Sequence, residues 1–549
     1  MTPPPRVRIG SSPTCQDENE TRAAQEVHAP ISEPDQLNAK LYAQLHRQCL
    51  DLLAEVDEFQ ALLKQTLRNP QLVEVRQFRS NVHSELRMLQ RLEEQMRGHA
   101  GEDQTGSVVQ EDPELEKRLM HALRSCNLPF YQAVWDIAKF SCEGLVSLGK
   151  RFYWDTETRF AEWKTKGTRN GDPEKLPNKN KRKSVFVDIV ANDGMEWVKV
   201  STLSENRLLF EMAKKGWERD SEEEWSDDND GPSRRTVLRN FDRGDDEDDD
   251  DELELIKLAR DLRKAANAVR VKYKHPRIRV VLFKIQEGHV PEIDDIVNEM
   301  RSYHMEVVCQ NSLPATGGTV GLAHLLPQPF KKFTPTLNVD CTLLLAMVSD
   351  LSHIKGIAPS PSFHRAIIRQ IEVEREQPLL PTELWPAMAG HELVCTNEAA
   401  TRMCEIVETI GTDAEKSRMT MLMGYPPYDR SERISLIERF QKLSDYRVPV
   451  DWKIPIKTVN AQPVIDAGKD RLPAVANEVS QGLSDINHSV FMYGWVTDMT
   501  TISSNRTIDK QIEVTIEKNR QGDDDLEGPI IWICDTARSL VGKDKDRKE

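Results

Sequence analysis

One stretch decides the fold class of the C-terminal half: Leu337-Asn338-Val339-Asp340-Cys341-Thr342-Leu343-Leu344-Leu345. A short apolar run over 337–339 ends on the carboxylate of Asp340, and an apolar run with the character of a helix follows. In an α/β sheet such a junction is the carboxyl end of a strand, where ligands and metals usually bind. The stretch therefore predicts a central parallel strand covered on both faces, with Asp340 at a candidate site.

A second carboxylate follows a similar apolar run far downstream. Residues 490–496 read Val-Phe-Met-Tyr-Gly-Trp-Val, and Thr497 and Asp498 come next. If this run is a strand, Asp498 lies near Asp340 at one sheet edge, and the two carboxylates hold a divalent cation. The alternative for Asp340 is an N-cap, in which its carboxylate accepts backbone N–H bonds at a helix start.

Strands alternate with helices over the last domain, which we place at 336–541. This alternation predicts an α/β/α sandwich with a parallel sheet. The expected strands are 337–339, 393–395, 490–496 and 530–533, and the expected helices are 341–353, 363–376, 397–410 and 431–444.

Three regions precede this domain. Residues 1–35 are polar and lack periodicity, which predicts a disordered tail. Apolar residues at helical spacing predict a helical region over 36–147 that begins with an α-hairpin and ends in a further helix from Pro113 to about Ser147. Residues 184–310 predict a smaller α/β unit, which opens with a β-hairpin formed by 185–190 and 197–200.

The acidic charge of the chain is concentrated in one segment. The formal net charge is −16, and residues 218–252 contain 17 acidic and 5 basic residues, a net of −12 that leaves −4 for the rest. Such a block repels itself, which predicts a disordered acidic insert within the α/β unit. The overall charge therefore does not exclude a nucleic-acid partner.

Targeting signals and cysteines bear on the compartment. No apolar run reaches the length of a membrane span, and the N-terminus lacks the apolar core of a secretory signal. The nine cysteines are scattered without a CxxC pair, which is typical of reduced thiols in an intracellular protein. We therefore expect a cytoplasmic or nuclear protein. Residues 179–183, Lys-Asn-Lys-Arg-Lys, are either a nuclear import signal or a solvated loop.

Several separated motifs together resemble the eukaryotic family called domain of unknown function 1308, DUF1308. They are Val187-Asp188-Ile189-Val190-Ala191-Asn192, Trp197-Val198-Lys199, Asn338-Val339-Asp340-Cys341-Thr342-Leu343-Leu344 and Glu392-Leu393-Val394-Cys395. The resemblance covers roughly residues 36–540, apart from the acidic insert. The C-terminal domain of that family is regarded as similar to PIN domains, which are metal-dependent nucleases of RNA or DNA.

The PIN-like resemblance implies a site for Mg²⁺ or Mn²⁺ held by carboxylates. Asp340 matches the aspartate of the first strand and Asp498 the late aspartate, while the helix over 397–410 offers Glu398 and Glu405 as the third ligand. Asp340, Asp498 and Glu398 would then be the catalytic residues. The pattern departs after Asp498, because no carboxylate occurs over 499–503 where PIN domains usually have another Asp or Asn.

Two functions from different classes follow. The first is a divalent-metal-dependent nuclease acting on RNA. The alternative is a non-catalytic interaction or scaffold protein on a degraded PIN fold, whose N-terminal helices bind a protein partner. Asp188, Glu196 and Lys199 also have a loose likeness to restriction-type nucleases, but their spacing favours a structural hairpin with Trp197 buried. The sequence leaves the oligomeric state open.

Overall fold

The computed structural model describes residues 33–67, 70–100, 113–154, 183–215, 252–314, 320–361, 363–534 and 539–541. The predicted tail therefore lies outside the described residues up to position 32, and the predicted acidic insert lies outside them up to position 251. The described residues belong to two compact units, one within 1–48 and 86–126 and the other within 49–85 and 127–549.

The predicted helical region contains four α-helices within its described residues. Its helices are α1 Glu33–Thr66, α2 Arg76–Ala100, α3 Pro113–Arg124 and α4 Leu128–Ser141. The helix expected from Pro113 to about Ser147 is thus divided in two and ends earlier. Within the second unit the buried ring of Trp135 packs edge-on against Phe59, with their centroids 6.1 Å apart. The Trp135 indole N–H donates to Glu55 at 2.5 Å, so this large side chain is buried with its polar group satisfied.

A first sheet of five strands follows in the order β1-β2-β3-β4-β5. The strands are β1 Ser147–Trp154, β2 Lys183–Ala191, β3 Glu196–Ser201, β4 Arg277–Leu282 and β5 Glu306–Cys309. The pairs β1–β2 and β2–β3 are antiparallel, whereas β3, β4 and β5 run parallel. Helices α5 Glu205–Lys214, α6 Glu254–Asn267 and α7 Pro291–Ser302 contribute their buried apolar faces to the same core.

The hairpin predicted over 185–190 and 197–200 is confirmed as β2 and β3, and Trp197 is buried. The charged residues of the hairpin pair with different partners. The Lys199 ammonium lies 3.1 Å from the Asp188 carboxylate, whereas Glu196 pairs with Arg279 at 2.8 Å. Burial raises the pKa of Asp188, and the Lys199 charge opposes that rise. These ion pairs support the structural interpretation of the hairpin.

A second sheet of five parallel strands lies in the C-terminal half, in the order β10-β9-β6-β7-β8. Its strands are β6 Thr336–Val339, β7 Glu392–Thr396, β8 Lys457–Val459, β9 Thr500–Ser503 and β10 Ile531–Ile533. Leu337, Asn338 and Val339 are each 0% exposed. Because successive side chains of a strand point to opposite faces, both faces of β6 are covered. The predicted central parallel strand is confirmed.

Helices connect the strands of the second sheet. They are α8 Cys341–Val348, α9 Asp350–His353, α10 Arg365–Glu376, α11 Trp385–Met388, α12 Asn397–Ile410, α13 Asp413–Met423, α14 Arg433–Gln441, α15 Ala461–Gly468, α16 Val475–Gln481, α17 Asp485–Val496 and α18 Arg506–Lys518. The helix predicted over 397–410 has the predicted bounds. The helix expected over 341–353 is interrupted at Ser349, whose side chain caps α9.

The strand predicted over 490–496 is wrong, because these residues form the second half of helix α17. An uninterrupted apolar run has no periodicity, so a buried strand and a buried helix give the same pattern. Every residue from Ser489 to Val496 is buried in the helix. Gly494 permits the close approach to the sheet, since a Cβ at that position would lie 2.0 Å from Thr501 Oγ1.

None of the helices within the described ranges is long and apolar enough to cross a membrane.

Candidate functional site at the carboxyl edge of the parallel sheet

The order of the second sheet defines where a ligand would bind. The chain starts in the centre at β6, moves outward through β7 and β8, and then continues on the other side with β9 and β10. The direction of strand addition therefore reverses between β6 and β9. In open parallel sheets the crevice at the carboxyl ends of two such strands is the usual binding site.

Asp340 lies at this crevice, directly after β6, and only 2% of the residue is exposed. The hydroxyls of Ser503 and Thr342 both donate to its Oδ2, at 2.6 and 2.7 Å. Asp340 occupies the N-cap position of α8, yet its carboxylate makes no capping hydrogen bond. The carboxylate is thus held both from its own helix, by Thr342, and from the end of β9, by Ser503.

The two hydroxyls are themselves held by the turn that follows β9. Thr342 Oγ1 accepts from the backbone N–H of Ser504 at 3.1 Å, and Ser503 Oγ accepts from the N–H of Asn505 at 2.9 Å. Burial raises the pKa of Asp340, and the hydrogen bonds from the two hydroxyls oppose that rise. The result is a closed network that joins the ends of β6 and β9.

Glu398 lies at the end of the neighbouring strand β7, in the first turn of α12. Thr396 caps this helix by accepting from the N–H of Ala399 at 3.2 Å. Glu398 is partly exposed, but its Oε2 is buried and has no hydrogen-bond partner within the described part of the chain. Asp340 and Glu398 therefore follow adjacent strands at the same edge, as predicted.

Asp498 does not lie near Asp340, so the predicted pairing of these carboxylates is wrong. Asp498 is exposed and precedes β9, with a φ of 53°. In the parallel register Leu337 pairs with Thr500, which places Asp498 at the amino edge of the sheet. Asp340 lies at the carboxyl edge, five residues further in the strand direction than Asp498. At the usual rise of a strand, this separates the two residues by about 17 Å. The pairing fails because 490–496 is helical and the chain enters β9 only after Asp498.

Glu405 also lies apart from the strand ends. It is two turns into α12, 59% of its side chain is exposed, and it pairs with Arg402 at 3.1 Å. An exposed pair of this kind contributes little to stability. The structure thus retains Asp340 and Glu398 at the carboxyl edge of the sheet and separates Asp498 and Glu405 from the strand ends.

The predicted Mg²⁺ or Mn²⁺ site can be tested against these donors. Such ions take oxygen ligands and keep several waters. Across the described ranges, no group of three His, Cys, Asp or Glu side chains is arranged to hold a metal ion. The burial of Asp340 leaves little space for waters, and its Oδ2 already accepts two hydroxyl bonds. The residues at the crevice do not fit the three-carboxylate site.

The residues that the sequence interpretation missed are the hydroxyls of the β9 end. Thr500-Thr501-Ile502-Ser503 is a short β-branched run followed by Ser504 and Asn505. This pattern is typical of a strand that ends in a turn, but the longer apolar run before it received the strand assignment. Correct placement of β9 would have put Ser503 beside Asp340.

Comparison with known families identifies the middle of this region. Residues 337–426 match the sequence model of a family described as a protein of unknown function, DUF1308. Over these residues the chain is similar to the DUF1308 family. The predicted family resemblance is confirmed for this segment, and the matched residues include β6, Asp340, β7 and Glu398. Ser503 and Asp498 lie outside the matched DUF1308 segment. No curated protein and no solved structure matches the chain.

Proposed function

We propose that this protein is a non-catalytic interaction protein on a PIN-like fold. One observation supports the proposal most directly: the Asp340 carboxylate is buried and accepts hydrogen bonds from the Ser503 and Thr342 hydroxyls. The PIN-like part of the proposal is supported by a parallel sheet whose central strand ends on this aspartate. The N-terminal helices remain the predicted surface for a protein partner.

The burial of Asp340 argues against catalysis for a physical reason. A metal-dependent nuclease must bring a metal ion, an attacking water and a phosphodiester together at its carboxylates. Here the carboxylate is an internal acceptor that links β6 to the turn after β9. Hydroxyl donors satisfy such a buried carboxylate without an ion. The geometry therefore favours a structural role for Asp340.

The competing function is a divalent-metal-dependent nuclease acting on RNA. The unpartnered Oε2 of Glu398 is the observation that favours it. A buried carboxylate oxygen without a donor is costly, and a cation would satisfy it. In that case Asp340 and Glu398 would hold the ion between the ends of β6 and β7, with water and substrate oxygens completing the ligand set.

Three variants of the full chain distinguish these functions. Asp340→Asn and Glu398→Gln remove one anion each at the crevice, and Asp498→Asn removes one at the opposite edge as the matched control. Thermal melts with and without Mn²⁺ measure metal binding, since an ion at a hundredfold excess over its Kd stabilises by about 2.7 kcal/mol. Single-stranded RNA incubated with each protein and Mn²⁺ is then sized on a denaturing gel.

We expect no Mn²⁺-dependent rise in Tm and no cleavage by any of the proteins. Cleavage by the wild type and by Asp498→Asn, but not by Asp340→Asn or Glu398→Gln, would establish the nuclease function and refute the proposal. Cleavage by all the proteins alike would point to a contaminating nuclease, and a preparation by a second purification route would remove it.

A further inference from the structure

The β1–β2 hairpin of the first sheet carries exposed aromatic rings among basic side chains. Tyr153 on β1 is 53% exposed and Phe186 on β2 is 41% exposed. Arg151 is exposed on the same face, whereas the exposed Lys150 and Lys183 lie on the opposite face of these two strands. Large exposed rings are unusual on a folded surface, and a set of them surrounded by cations suggests a binding function.

Not every aromatic side chain of this hairpin is available to a partner. Phe152 stacks on the buried ring of Trp197, with centroids 3.7 Å apart, and packs against the core of the first sheet. Arg151 and Tyr153 alternate with Phe152 along β1, so they point to the other face. On β2, Phe186 pairs with Arg151 and Ser184 pairs with Tyr153. These four side chains form one surface, which we call the ribbon face.

The Phe186 ring is held in place by its neighbours. Gly149 has a φ of 83°, and a Cβ there would lie 2.9 Å from Phe186 Cζ, so the ring occupies space that only glycine leaves open. The Arg151 guanidinium lies 5.9 Å from the ring centroid and the Lys199 ammonium lies 5.6 Å from it. An exposed cation–π contact is worth about 0.5–1 kcal/mol, which orients the ring, and Phe186 remains 41% exposed.

The charge of the ribbon face is positive. Lys199 is balanced by Asp188 at 3.1 Å. Arg151 donates to the neutral Ser184 hydroxyl at 3.2 Å, and in the described residues no carboxylate pairs with Arg151, which therefore leaves one uncompensated positive charge on this face. The matching ligand therefore combines flat faces with regularly spaced negative charges. A single-stranded polynucleotide has both features, since its bases stack on aromatic rings and its phosphates pair with Lys and Arg.

We propose that the ribbon face binds single-stranded RNA. One base stacks on Phe186 and a neighbouring base on Tyr153, because diagonal positions of paired strands lie about 7–8 Å apart. Arg151 contacts a phosphate. The hydroxyls of Tyr153 and Ser184 flank the platform and bond the ribose 2′-hydroxyl, the group that distinguishes RNA from DNA. The inference rests on the proposed function in one respect: a non-catalytic protein binds the RNA but does not cleave it.

The test uses the full-length protein and a fluorescent single-stranded RNA of about 12 nucleotides without secondary structure, a length within the range of known single-strand sites. Fluorescence anisotropy gives Kd at several salt concentrations. Phe186→Ala should weaken binding about 5- to 100-fold, the range expected for the loss of one stacked base. Phe210→Ala is the matched control, because Phe210 is 72% exposed on α5 away from the ribbon face. This variant should bind the RNA as the wild type does.

Two further variants separate the contributions. Phe186→Leu keeps an apolar side chain but lacks an aromatic face, so it should lose affinity while its melting temperature stays near that of the wild type. Arg151→Gln should lower the slope of log K against log salt by about 0.7, the value for one phosphate contact to a single strand.

Each contrary outcome overturns a defined statement. Absence of RNA binding at low salt, or equal Kd for Phe186→Ala and Phe210→Ala, would overturn the ribbon face as the site. Equal affinity for single-stranded DNA of the same sequence would overturn the assignment to RNA. The RNA recovered after titration is sized on a denaturing gel, so that cleavage would refute the proposed function separately from the binding inference.

Discussion

The hydroxyl of Ser503 donates a 2.6 Å hydrogen bond to the carboxylate of Asp340. This bond crosses from β9 to β6, the two strands between which the order of the sheet reverses. The position at which parallel sheets usually receive a ligand is therefore closed by an internal contact. The negative charge that a metal ion would require is present on Asp340. However, the Oδ2 of Asp340 already accepts hydrogen bonds from Ser503 and Thr342 within the fold.

Substitution of Ser503 tests the strength of this contact. Ser503→Ala removes a donor to a buried carboxylate, and hydrogen bonds to charged groups contribute about 1.5–3 kcal/mol. We expect that loss in the free energy of unfolding, measured by urea denaturation at pH 7. Ser504→Ala is the adjacent control, because Ser504 Oγ is buried without a hydrogen-bond partner in the described residues. Equal losses in the two variants would contradict the assigned role of Ser503.

The ionisation of Asp340 predicts a dependence on pH. Burial raises the pKa of Asp340 above its value in the unfolded chain. The unfolded state then releases the proton first as pH rises, so this group destabilises the fold progressively above pH 4. Asp340→Asn should therefore gain stability relative to the wild type between pH 4 and pH 7, as a Tm difference on the order of a few degrees.

The measurement is a series of thermal melts in metal-free buffer, with Asp498→Asn as the exposed control. A Tm difference between Asp340→Asn and the wild type that stays constant from pH 4 to pH 7 would show that Asp340 carries its charge without cost. A difference of the opposite sign would show that the anion is stabilised by a positive group or ion.

Buried His353 provides a second pH-dependent group. Nε2 donates to the Met347 carbonyl at 2.7 Å, which leaves Nδ1 to accept from the Ser444 hydroxyl at 2.9 Å. Complete burial, together with the nearby Arg418 charge, lowers the pKa of His353 to about 3. The unfolded state binds the proton first as pH falls below about 6.5. Stability should therefore decrease by about 2 kcal/mol between pH 7 and pH 5.

His353→Gln isolates this contribution. The glutamine amide can donate to the Met347 carbonyl, but it does not titrate. We expect the variant to be less stable than the wild type at pH 7. Because the amide does not titrate, the variant should lack the additional loss of stability at pH 5. Urea unfolding at both pH values gives the comparison. If the two proteins lose the same free energy between pH 7 and pH 5, His353 is not the group responsible.

The elements that were predicted correctly have clear start or end signals in the sequence. The helix over 397–410 has Thr396 as its cap and a regular apolar face, and β6 is a short apolar run that ends at Asp340. The run over 490–496 has no such boundary, because Gly494 and the aromatic residues around it suit a buried helix and a buried strand alike. The packing of this run against the sheet selects the helical conformation, and the local sequence does not reveal that packing.

The candidate site was predictable only where it depends on single strand ends. Asp340 and Glu398 follow β6 and β7 directly, so local patterns were sufficient to place both at one edge. The partner of Asp340 depends on which strand lies beside β6, and β9 is more than 160 residues away in the chain. The exposed ring of Phe186 likewise depends on β1, a strand that begins where the predicted helical region ends and that the sequence interpretation did not assign.

The last prediction concerns the acidic segment. Residues 218–251 lie outside the described residues, but Glu252 belongs to the folded part, since it pairs with Arg260 at 2.6 Å and its carbonyl accepts from the Lys215 ammonium. The two ends of the segment therefore meet. Replacing 218–250 by a short Gly-Ser linker shortens the connection from about 36 to about 9 residues, which lowers the entropy cost of closure by roughly 1.2 kcal/mol.

We expect this deletion to leave Tm unchanged or to raise it by a few degrees. A Gly-Ser segment of the original length is the control, because it removes the charge but keeps the length. Thermal melts of the three proteins separate the two effects, since any self-repulsion by the acidic residues is removed in both replacements. A fall in Tm on deletion, absent in the full-length Gly-Ser control, would mean that the shorter linker strains the pairing of Lys215 with Glu252. A fall in both would mean that the acidic residues themselves contact the fold.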